Sequence, residues 1–287
     1  MKITSDWHIH SRHSCDEAAL PIADLIGAAD DLGLRDFGLS DHIHTPHNLP
    51  DLVASRADFL ANDPPARFHF GVEASVVSAW ELAELATGSP ERPTYGLRQG
   101  GPPGGPLALG LTEEDVEQLG IEYVIGGAHW PMYVPFERNA VIRDYHRQNL
   151  FLATHPLADI VAHPWWWMGH WQSDDGRYRG DPWLDDFGKI PASMHDEFAA
   201  AVVEHGRRVE INLSAILLNA AYPDTFVPQY LEYLALLRAR NVRFSIGSDC
   251  HSARYDPDFG RAEAMLEAAG LGDEAFWRLP PRESREA

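Results

Sequence analysis

Short apolar stretches alternate along the chain with longer segments of helical periodicity. Seven of these stretches have the length and composition of buried strands, and they cover residues 3–10, 37–42, 68–73, 123–129, 160–164, 209–213 and 244–251. The segments between them predict helices over residues 21–33, 112–120, 137–154, 191–205, 228–240 and 257–269. A strand followed by a helix, repeated about seven times, predicts an α/β protein that resembles a TIM barrel.

Several of the predicted helices have recognisable ends. Pro21 stands at a first-turn position, and Gly33 can adopt the left-handed conformation that closes a helix. Thr112, followed by acidic residues, is typical of a capping start. Gly206 and Gly270 mark the ends of two later helices.

Length and composition narrow the class of protein. A chain of 287 residues with 45% hydrophobic residues suits one barrel domain, and we expect a single domain over residues 1–287. The start of the sequence shows no signal peptide and no apolar run could span a bilayer, so we expect a cytoplasmic protein without a membrane partner. A net charge of −20 argues against nucleic acid as a partner.

Cys15 and Cys250 are expected to be free thiols, with metal ligation as the alternative. The oligomeric state stays open.

Two insertions interrupt the repeat of strand and helix. Residues 87–110 are rich in Gly and Pro and show no periodic apolar face, which favours a mobile or disordered surface excursion, with a substrate lid as the alternative. Residues 165–190 are rich in Trp and follow a predicted strand directly, so we expect them on the catalytic face. Trp165 and its neighbours could stack on a substrate, or pack as an apolar wall or a subunit contact.

Metal-binding residue types stand at the ends of most predicted strands. His8 and His10 are two residues apart on a strand, so both imidazoles point to the same side. Corresponding positions on other strands hold Glu73, His129, His163, Asp249 and His251. Because the carboxyl ends of parallel strands meet on one face of a barrel, the pattern predicts a site with several metal ions.

The motifs that carry this pattern resemble those of the polymerase and histidinol phosphatase (PHP) family. They are Asp6-x-His8-x-His10, Ser40-Asp41-His42, Gly71-Val72-Glu73, Gly127-Ala128-His129, Ala162-His163-Pro164, Glu210-x-Asn212 and Gly247-Ser248-Asp249-Cys250-His251. The resemblance spans residues 6–251. It implies a distorted seven-stranded (β/α)7 barrel that holds two or three divalent metals, usually Zn, Mn or Fe, and most often hydrolyses phosphoric esters.

The same resemblance implies three sets of ligands. The first set is His8, His10, Glu73 and Asp249, the second is Glu73, His129 and His163, and the third is Asp16, His42 and His251. Members of the family with three metals commonly have histidine where this chain has Asp16, which leaves occupancy of the third set open. A carboxylate at that position favours Mn or Fe over Zn.

Other residues near the motifs are candidates for catalysis or substrate binding. Asp41 is expected to accept a hydrogen bond from an imidazole, with metal ligation as the alternative, and His13 could donate a proton to a leaving oxygen. Arg12 and Arg254 could bind the outer oxygens of a phosphate, or lie on the surface. Asn212 could hydrogen-bond substrate or a metal-bound water.

Glu73 and Asp249 are the predicted catalytic ligands, and Glu73 is the predicted bridge between two ions. Two dications about 3.5–4 Å apart repel, and a shared carboxylate offsets that repulsion. The resulting hypothesis is a phosphomonoesterase that uses a metal-bridging hydroxide on a small phosphorylated metabolite. Hydrolysis of an amide, lactone or ester on the same centre is the first alternative, and an inactive structural or regulatory barrel is the second.

Overall fold

A computed structural model describes residues 1–87, 94–167 and 182–277, and its centre is a barrel of seven parallel strands. In order around the barrel, these strands are β1 (Ser5–Ile9), β2 (Asp36–Leu39), β4 (Phe68–Ser78), β6 (Tyr123–Gly127), β7 (Ile160–Ala162), β8 (Arg208–Asn212) and β9 (Arg243–Gly247). Two short strands, β3 (His42–Ile43) and β5 (Leu107–Leu109), pair with β4 on its longer edge. The predicted α/β barrel is confirmed.

The barrel comes close to closing where the first strand meets the last. Ile9 and Cys250 form a parallel bridge, and Asp249 N donates to His8 O over 2.7 Å. His10 N donates to Cys250 O over 3.2 Å. These bonds bring the histidines of the first motif beside Asp249 of the last motif.

The described residues form eight α-helices, of which seven lie between strands and the last follows β9. They are α1 (Ile22–Asp31), α2 (Leu49–Ala61), α3 (Ala79–Ala86), α4 (Glu113–Leu119), α5 (Arg138–Thr154), α6 (Ala192–Glu204), α7 (Phe226–Ala239) and α8 (Phe259–Ala268). All six predicted helices are confirmed within a few residues, and α2 and α3 are additional. The capping start at Thr112 is confirmed: its hydroxyl accepts from Asp115 N, and the Asp115 carboxylate accepts from Thr112 N. Glycines at the predicted stops have positive φ: Gly33, Gly206 and Gly270.

Strands β2 and β4 differ from their predicted extents. The predicted strand over residues 37–42 breaks after Leu39, and His42 begins the separate strand β3. Strand β4 runs for 11 residues, all of them buried, so Glu73 lies in its middle and not at its end. This length lets β4 pair with four other strands and carry one ligand deep into the barrel.

One tyrosine fills the barrel below the ligand residues. The Tyr123 hydroxyl donates to Trp7 O over 2.8 Å and lies 3.1 Å from Leu39 O. A Cβ added at Gly38 or Gly71 would stand closer than 3.0 Å to the Tyr123 side chain. The two glycines therefore make the space that the ring occupies, and the interior there is a packed core.

The insertion over residues 87–110 is described from residue 94 onward. Its last part forms β5, which pairs antiparallel with β4 through Val77 and Ala108. Leu97 N donates to the buried Glu81 carboxylate. Residues 94–110 thus fold back against β4 and α3, and most of residues 99–106 are exposed at the surface. Residues 88–93 lie outside the described part of the chain. Within the described residues, no helix has the length and apolar character needed to cross a membrane.

Candidate metal centre

All nine predicted ligand residues meet at the carboxyl end of the barrel. His8 lies on β1 and His10 directly after it, His42 begins β3, and Glu73 lies on β4. The others follow strand ends: Asp16, His129, His163, Asp249 and His251. Six of the nine are buried, while Asp16, Asp249 and His251 are partly exposed. The ligand residues are therefore not ordinary solvated side chains.

The first predicted set converges on one point. His8 Nε2 lies 3.0 Å from His10 Nε2 and 2.9 Å from Glu73 Oε2. Asp249 Oδ1 lies 3.2 Å from His10 Nε2 and 3.5 Å from His8 Nε2. Two imidazole nitrogens and two carboxylate oxygens that point at one another form the donor set of a tetrahedral or higher-coordinate metal.

Glu73 faces two different groups of imidazoles with its two oxygens. Oε2 lies 2.9 Å from His8 Nε2 and 3.0 Å from His42 Nδ1. Oε1 lies 3.0 Å from both His129 Nε2 and His163 Nε2. A carboxylate arranged in this way can bridge two ions, as the sequence predicts for Glu73.

The third predicted set is also assembled. Asp16 Oδ2 lies 3.2 Å from His42 Nε2 and is in direct contact with His251 Nε2. The donor atoms of His10 belong to the same group, and His42 is also grouped with Glu73 and His129. His42 therefore stands between the second and third sets, which is a closer connection than the sequence indicates.

The protonation of these groups fits a site built for cations. Burial raises the pKa of Glu73, but the imidazoles of His42, His8 and His129 hold it well below its usual range. Burial lowers the pKa of His42, and Glu73 and Asp16 overcome that effect and raise it to about 10. Burial lowers the pKa of His129 to about 4. A divalent ion would replace the protons that now balance these carboxylates.

Glu210 orients the ligands from outside the donor sets. His8 Nδ1 donates to Glu210 Oε1 over 2.6 Å, which leaves Nε2 as the nitrogen that faces Glu73 and would bind an ion. Glu210 Oε2 accepts from His163 N over 2.7 Å and from Asn212 Nδ2 over 3.2 Å. Asn212 Nδ2 also lies 3.1 Å from Asp249 Oδ2, so this residue positions a carboxylate. Glu210 belongs to the sixth motif, but sequence reasoning gave it no role.

Ser75 contacts the predicted ligand His129, and His44 contacts Ser75. Sequence reasoning missed both residues. Ser75 Oγ lies 2.8 Å from His129 Nδ1 and 2.6 Å from His44 Nδ1. His44 is 3% exposed, and its Nε2 atom has no hydrogen-bond partner among the described residues. The signal was present in the sequence, since His42-x-His44 repeats the spacing of His8-x-His10.

A cavity of about 180 Å³ opens beside the ligands. Its other walls are aromatic and basic: His44, Tyr95, Arg98, Trp130 and Trp166. The Arg98 guanidinium lies 4.2 Å above the Trp130 ring and 4.8 Å from the Tyr95 ring. Tyr95 and Arg98 come from the Gly- and Pro-rich insertion, where no periodicity could have indicated them.

Three of the predicted substrate or acid residues lie away from this cavity. Arg12 NH2 and His13 Nε2 both bind Asp58 Oδ2 on α2, over 3.0 and 2.8 Å. Arg254 is exposed and does not line the cavity. The structure therefore does not bring these side chains to the predicted site.

Asp41 holds a loop in place. Its carboxylate accepts from Ser11 N over 2.6 Å, from Ser11 Oγ over 2.7 Å and from Ser55 Oγ over 2.6 Å. These bonds occupy both oxygens, and no imidazole is among its hydrogen-bond partners in the described residues. Asp41 fixes the turn that follows His10, and does not orient a histidine directly.

The tryptophans after β7 divide between the core and the cavity. Trp165 and Trp167 are buried with Trp183, and the Trp183 Nε1 atom donates to Trp165 O over 2.9 Å. Trp166 lines the cavity and lies beside His163. Trp165 therefore packs as part of an apolar wall. Trp166 lies at the cavity position that the sequence predicts for Trp165. The predictions for residues 168–181 lie outside the described residues.

Unusual backbone conformations coincide with the centre. His163, Trp165 and Asp249 have φ of 25°, 68° and 54°, a region that non-glycine residues rarely adopt. Such conformations cost on the order of 1–3 kcal/mol each and cluster at functional sites. Their place at the ends of β7 and β9 supports a functional role for this face.

Comparison with solved structures shows the fold. A crystal structure of a candidate histidinol phosphatase from Listeria monocytogenes matches with a TM-score of 0.55 at 10% identity, over 87% of this chain and 96% of that chain. Dihydropteroate synthase from Thermus thermophilus matches with a TM-score of 0.39 at 14% identity, over 98% and 91% of the two chains. A Xaa-Pro dipeptidase matches with a TM-score of 0.38 at 8% identity, over 93% and 60%.

The first of these matches shows that the chain shares its fold with the Listeria protein. The other two have TM-scores that are too low to add to this comparison. Searches against protein-family models and against curated proteins find no match for the sequence.

Proposed function

We propose that this protein is a metal-dependent hydrolase, and specifically a phosphomonoesterase that acts on a small phosphorylated metabolite. The observation that carries the proposal is Glu73, whose two oxygens face two groups of imidazoles inside one buried cluster of donors. The ions it would hold are two or three divalent transition metals, Zn, Mn or Fe. When bound, they supply Lewis-acid polarisation and a water that is deprotonated near neutral pH.

The residues around the cluster would prepare it for this chemistry. Glu73 would be shared between ions, with His8, His10 and Asp249 on one side and His129 and His163 on the other. Glu210 fixes the tautomer and orientation of His8. These buried groups are held before substrate arrives, so little reorganisation accompanies the reaction.

Charge favours a phosphorylated substrate. Three carboxylates (Asp16, Glu73 and Asp249) against three dications would leave about three positive charges, and Arg98 adds another at the cavity wall. An arginine whose planar group stacks on Trp130 presents its N–H groups in a fixed plane, which suits phosphate oxygens. The name of the Listeria protein, a candidate histidinol phosphatase, supports the same reaction class.

A carbonyl substrate is the alternative that the cavity supports. Tyr95, Trp130 and Trp166 give it an aromatic wall, which binds apolar groups by area and shape. The same polarising centre serves an amide, lactone or ester carbonyl as well as phosphorus.

A panel of substrates separates the two. Protein loaded in turn with Zn, Mn and Fe would be assayed on phosphomonoesters, cyclic phosphodiesters, amides, lactones and carboxylic esters. We expect phosphomonoester hydrolysis with the highest kcat/KM and inhibition by inorganic phosphate. Lactone or amide hydrolysis without phosphatase activity would support the alternative, and no hydrolysis with any metal would contradict both.

A further inference from the structure

We propose that His44 is a catalytic residue that donates a hydrogen bond from Nε2 to a substrate oxygen, and that Ser75 and His129 fix its proton there. The inference deepens the proposed function and rests on it, since it takes His129 as a metal ligand. His44 lies at the cavity, while the ligand sets do not use it.

Two imidazoles share one serine hydroxyl. Ser75 Oγ stands between His44 Nδ1 at 2.6 Å and His129 Nδ1 at 2.8 Å, and all three residues are buried. A serine hydroxyl has one proton to donate. It can therefore donate to only one of the two imidazoles, and the other imidazole must donate to it.

The metal-facing nitrogen of His129 decides the direction of the two hydrogen bonds at Ser75. His129 Nε2 points to Glu73 Oε1 at 3.0 Å, so as a ligand it must keep its lone pair there and carry its proton on Nδ1. That Nδ1–H donates to Ser75 Oγ, and the Ser75 hydroxyl then donates to His44 Nδ1. Neutral His44 is left with its only proton on Nε2.

The donor that results has no partner in the part of the chain that the structure describes. His44 Nε2 is buried and unpaired among the described residues, and a buried N–H without an acceptor is unfavourable. The ring is held between His42, at 4.5 Å between centroids, and Tyr95, at 5.1 Å. The backbone is held too, because His44 N donates to Asn48 Oδ1 over 3.0 Å. A fixed donor in the cavity wall is suited to an acceptor that arrives with the substrate.

Such a donor would act on charge that develops during hydrolysis. The equatorial oxygens of the transferring phosphoryl group share negative charge, and a preorganised N–H stabilises it on an oxygen that is not held by a metal. Removal of one donor of this kind typically costs roughly 10²–10³-fold in kcat. The same N–H would serve the oxyanion formed from a carbonyl substrate.

The tautomer can be measured without reference to activity. Protein with ¹⁵N-labelled histidine and bound Zn, which is diamagnetic, would be studied by long-range ¹H–¹⁵N correlation NMR. We expect His44 as the neutral Nε2–H tautomer, with a shift of that signal on addition of inorganic phosphate. In Ser75→Ala, the Nδ1 partner is lost and a mixture of tautomers should appear. A proton on Nδ1 in the wild-type protein would overturn the proposal.

Kinetics of His44 variants test the role of the donor. His44→Ala should lower kcat by roughly 10²-fold, and His44→Gln, whose amide N–H reaches about as far, should recover part of the loss. His47→Gln is the matched control, because His47 lies three residues away and does not line the cavity. Metal content should be unchanged in all three variants. Equal kcat for His44→Ala and wild type would overturn the proposal.

The two failures can be told apart. An active, metal-loaded enzyme with His44 protonated on Nδ1, or indifferent to His44→Ala, contradicts this inference alone. A protein that takes up no metal contradicts the proposed function, and the inference falls with it.

Discussion

At the scale of single residues, metal binding depends on the orientation of each imidazole. His8 can present Nε2 to an ion only while Glu210 accepts from its Nδ1 at 2.6 Å. The other Glu210 oxygen accepts from His163 N, so one carboxylate holds ligands from two strands. Residues that contact ligands in this way commonly contribute 10–100-fold to metal affinity or activity.

Replacement of Glu210 by Gln should therefore weaken metal binding by roughly 10–100-fold, since the amide can place an N–H where an acceptor is needed. Titration of metal-free protein with Zn would measure the change. Glu122→Gln is the matched control, because Glu122 binds His69 Nδ1 at 2.9 Å in a similar pair at the opposite end of β4. If both variants bind Zn like wild type, Glu210 is only a packing residue.

Most residues that sequence reasoning found share one property, which is a fixed position relative to a strand, whereas Asp16 follows from the family resemblance alone. His8, His129 and His163 could be placed because the ends of parallel strands converge in a barrel. Arg98 could not be placed, since its position depends on how an aperiodic loop folds back onto α3 and on contacts such as the bond from Leu97 N to Glu81. Arg12 is a candidate for phosphate binding because it follows a motif, yet it binds Asp58 outside the cavity.

Strand β4 organises the site at the scale of elements. Successive side chains on a strand alternate, so Gly71, Glu73 and Ser75 share one face. Gly71 admits the Tyr123 ring, Glu73 faces the imidazoles, and Ser75 links His129 to His44. Packing below the site and chemistry within it thus depend on a single strand. Its full length was not predicted, because residues 76–78 pair with β5, a segment about 30 residues further along the chain.

Gly71→Ala should destabilise the protein, because the new Cβ would stand closer than 3.0 Å to the Tyr123 ring. Overpacking of this kind costs about 1–3 kcal/mol. Urea denaturation would measure the free energy of unfolding. Gly27→Ala is the control, since nothing lies within 4 Å of the added Cβ in helix α1, and it should be neutral or stabilising by up to about 1 kcal/mol. Equal stability for Gly71→Ala and wild type would show that Tyr123 can move away.

The whole molecule determines the centre, because its ligands come from strands all around the barrel. The contact between His8 and Asp249 exists only where the last strand returns to the first. Residues 6–251 must therefore be folded together before the donors meet. The overall repeat of strand and helix made this arrangement predictable, whereas helices α2 and α3 and strand β5 depended on contacts made across the sequence.

Metal binding to the folded chain should release protons. The pKa of His42 is raised to about 10 and that of His251 to about 9, in each case against the effect of burial, by carboxylates that include Asp16. Both imidazoles are thus protonated at neutral pH in the absence of metal, and an ion must displace those protons. Zn affinity should rise with pH between about 6 and 9, by up to about tenfold per unit for each proton displaced.

Calorimetry in buffers of different ionisation enthalpy would count the protons released. A count near zero at pH 7 would contradict the protonation assigned to His42 and His251. As an internal comparison, His251→Gln should release fewer protons than wild type at the same pH, since one of the raised pKa values is removed.

Metal stoichiometry is the measurement that tests the proposed metal centre most directly. Elemental analysis of protein expressed with supplemented Zn, Mn and Fe should find two or three of these ions per chain, and chelation should abolish hydrolysis. Glu73→Gln should lower the metal content and the rate by orders of magnitude while circular dichroism stays unchanged, and Glu122→Gln should match wild type. A chain that contains no metal, or that keeps full activity after chelation, would contradict the proposed metal centre.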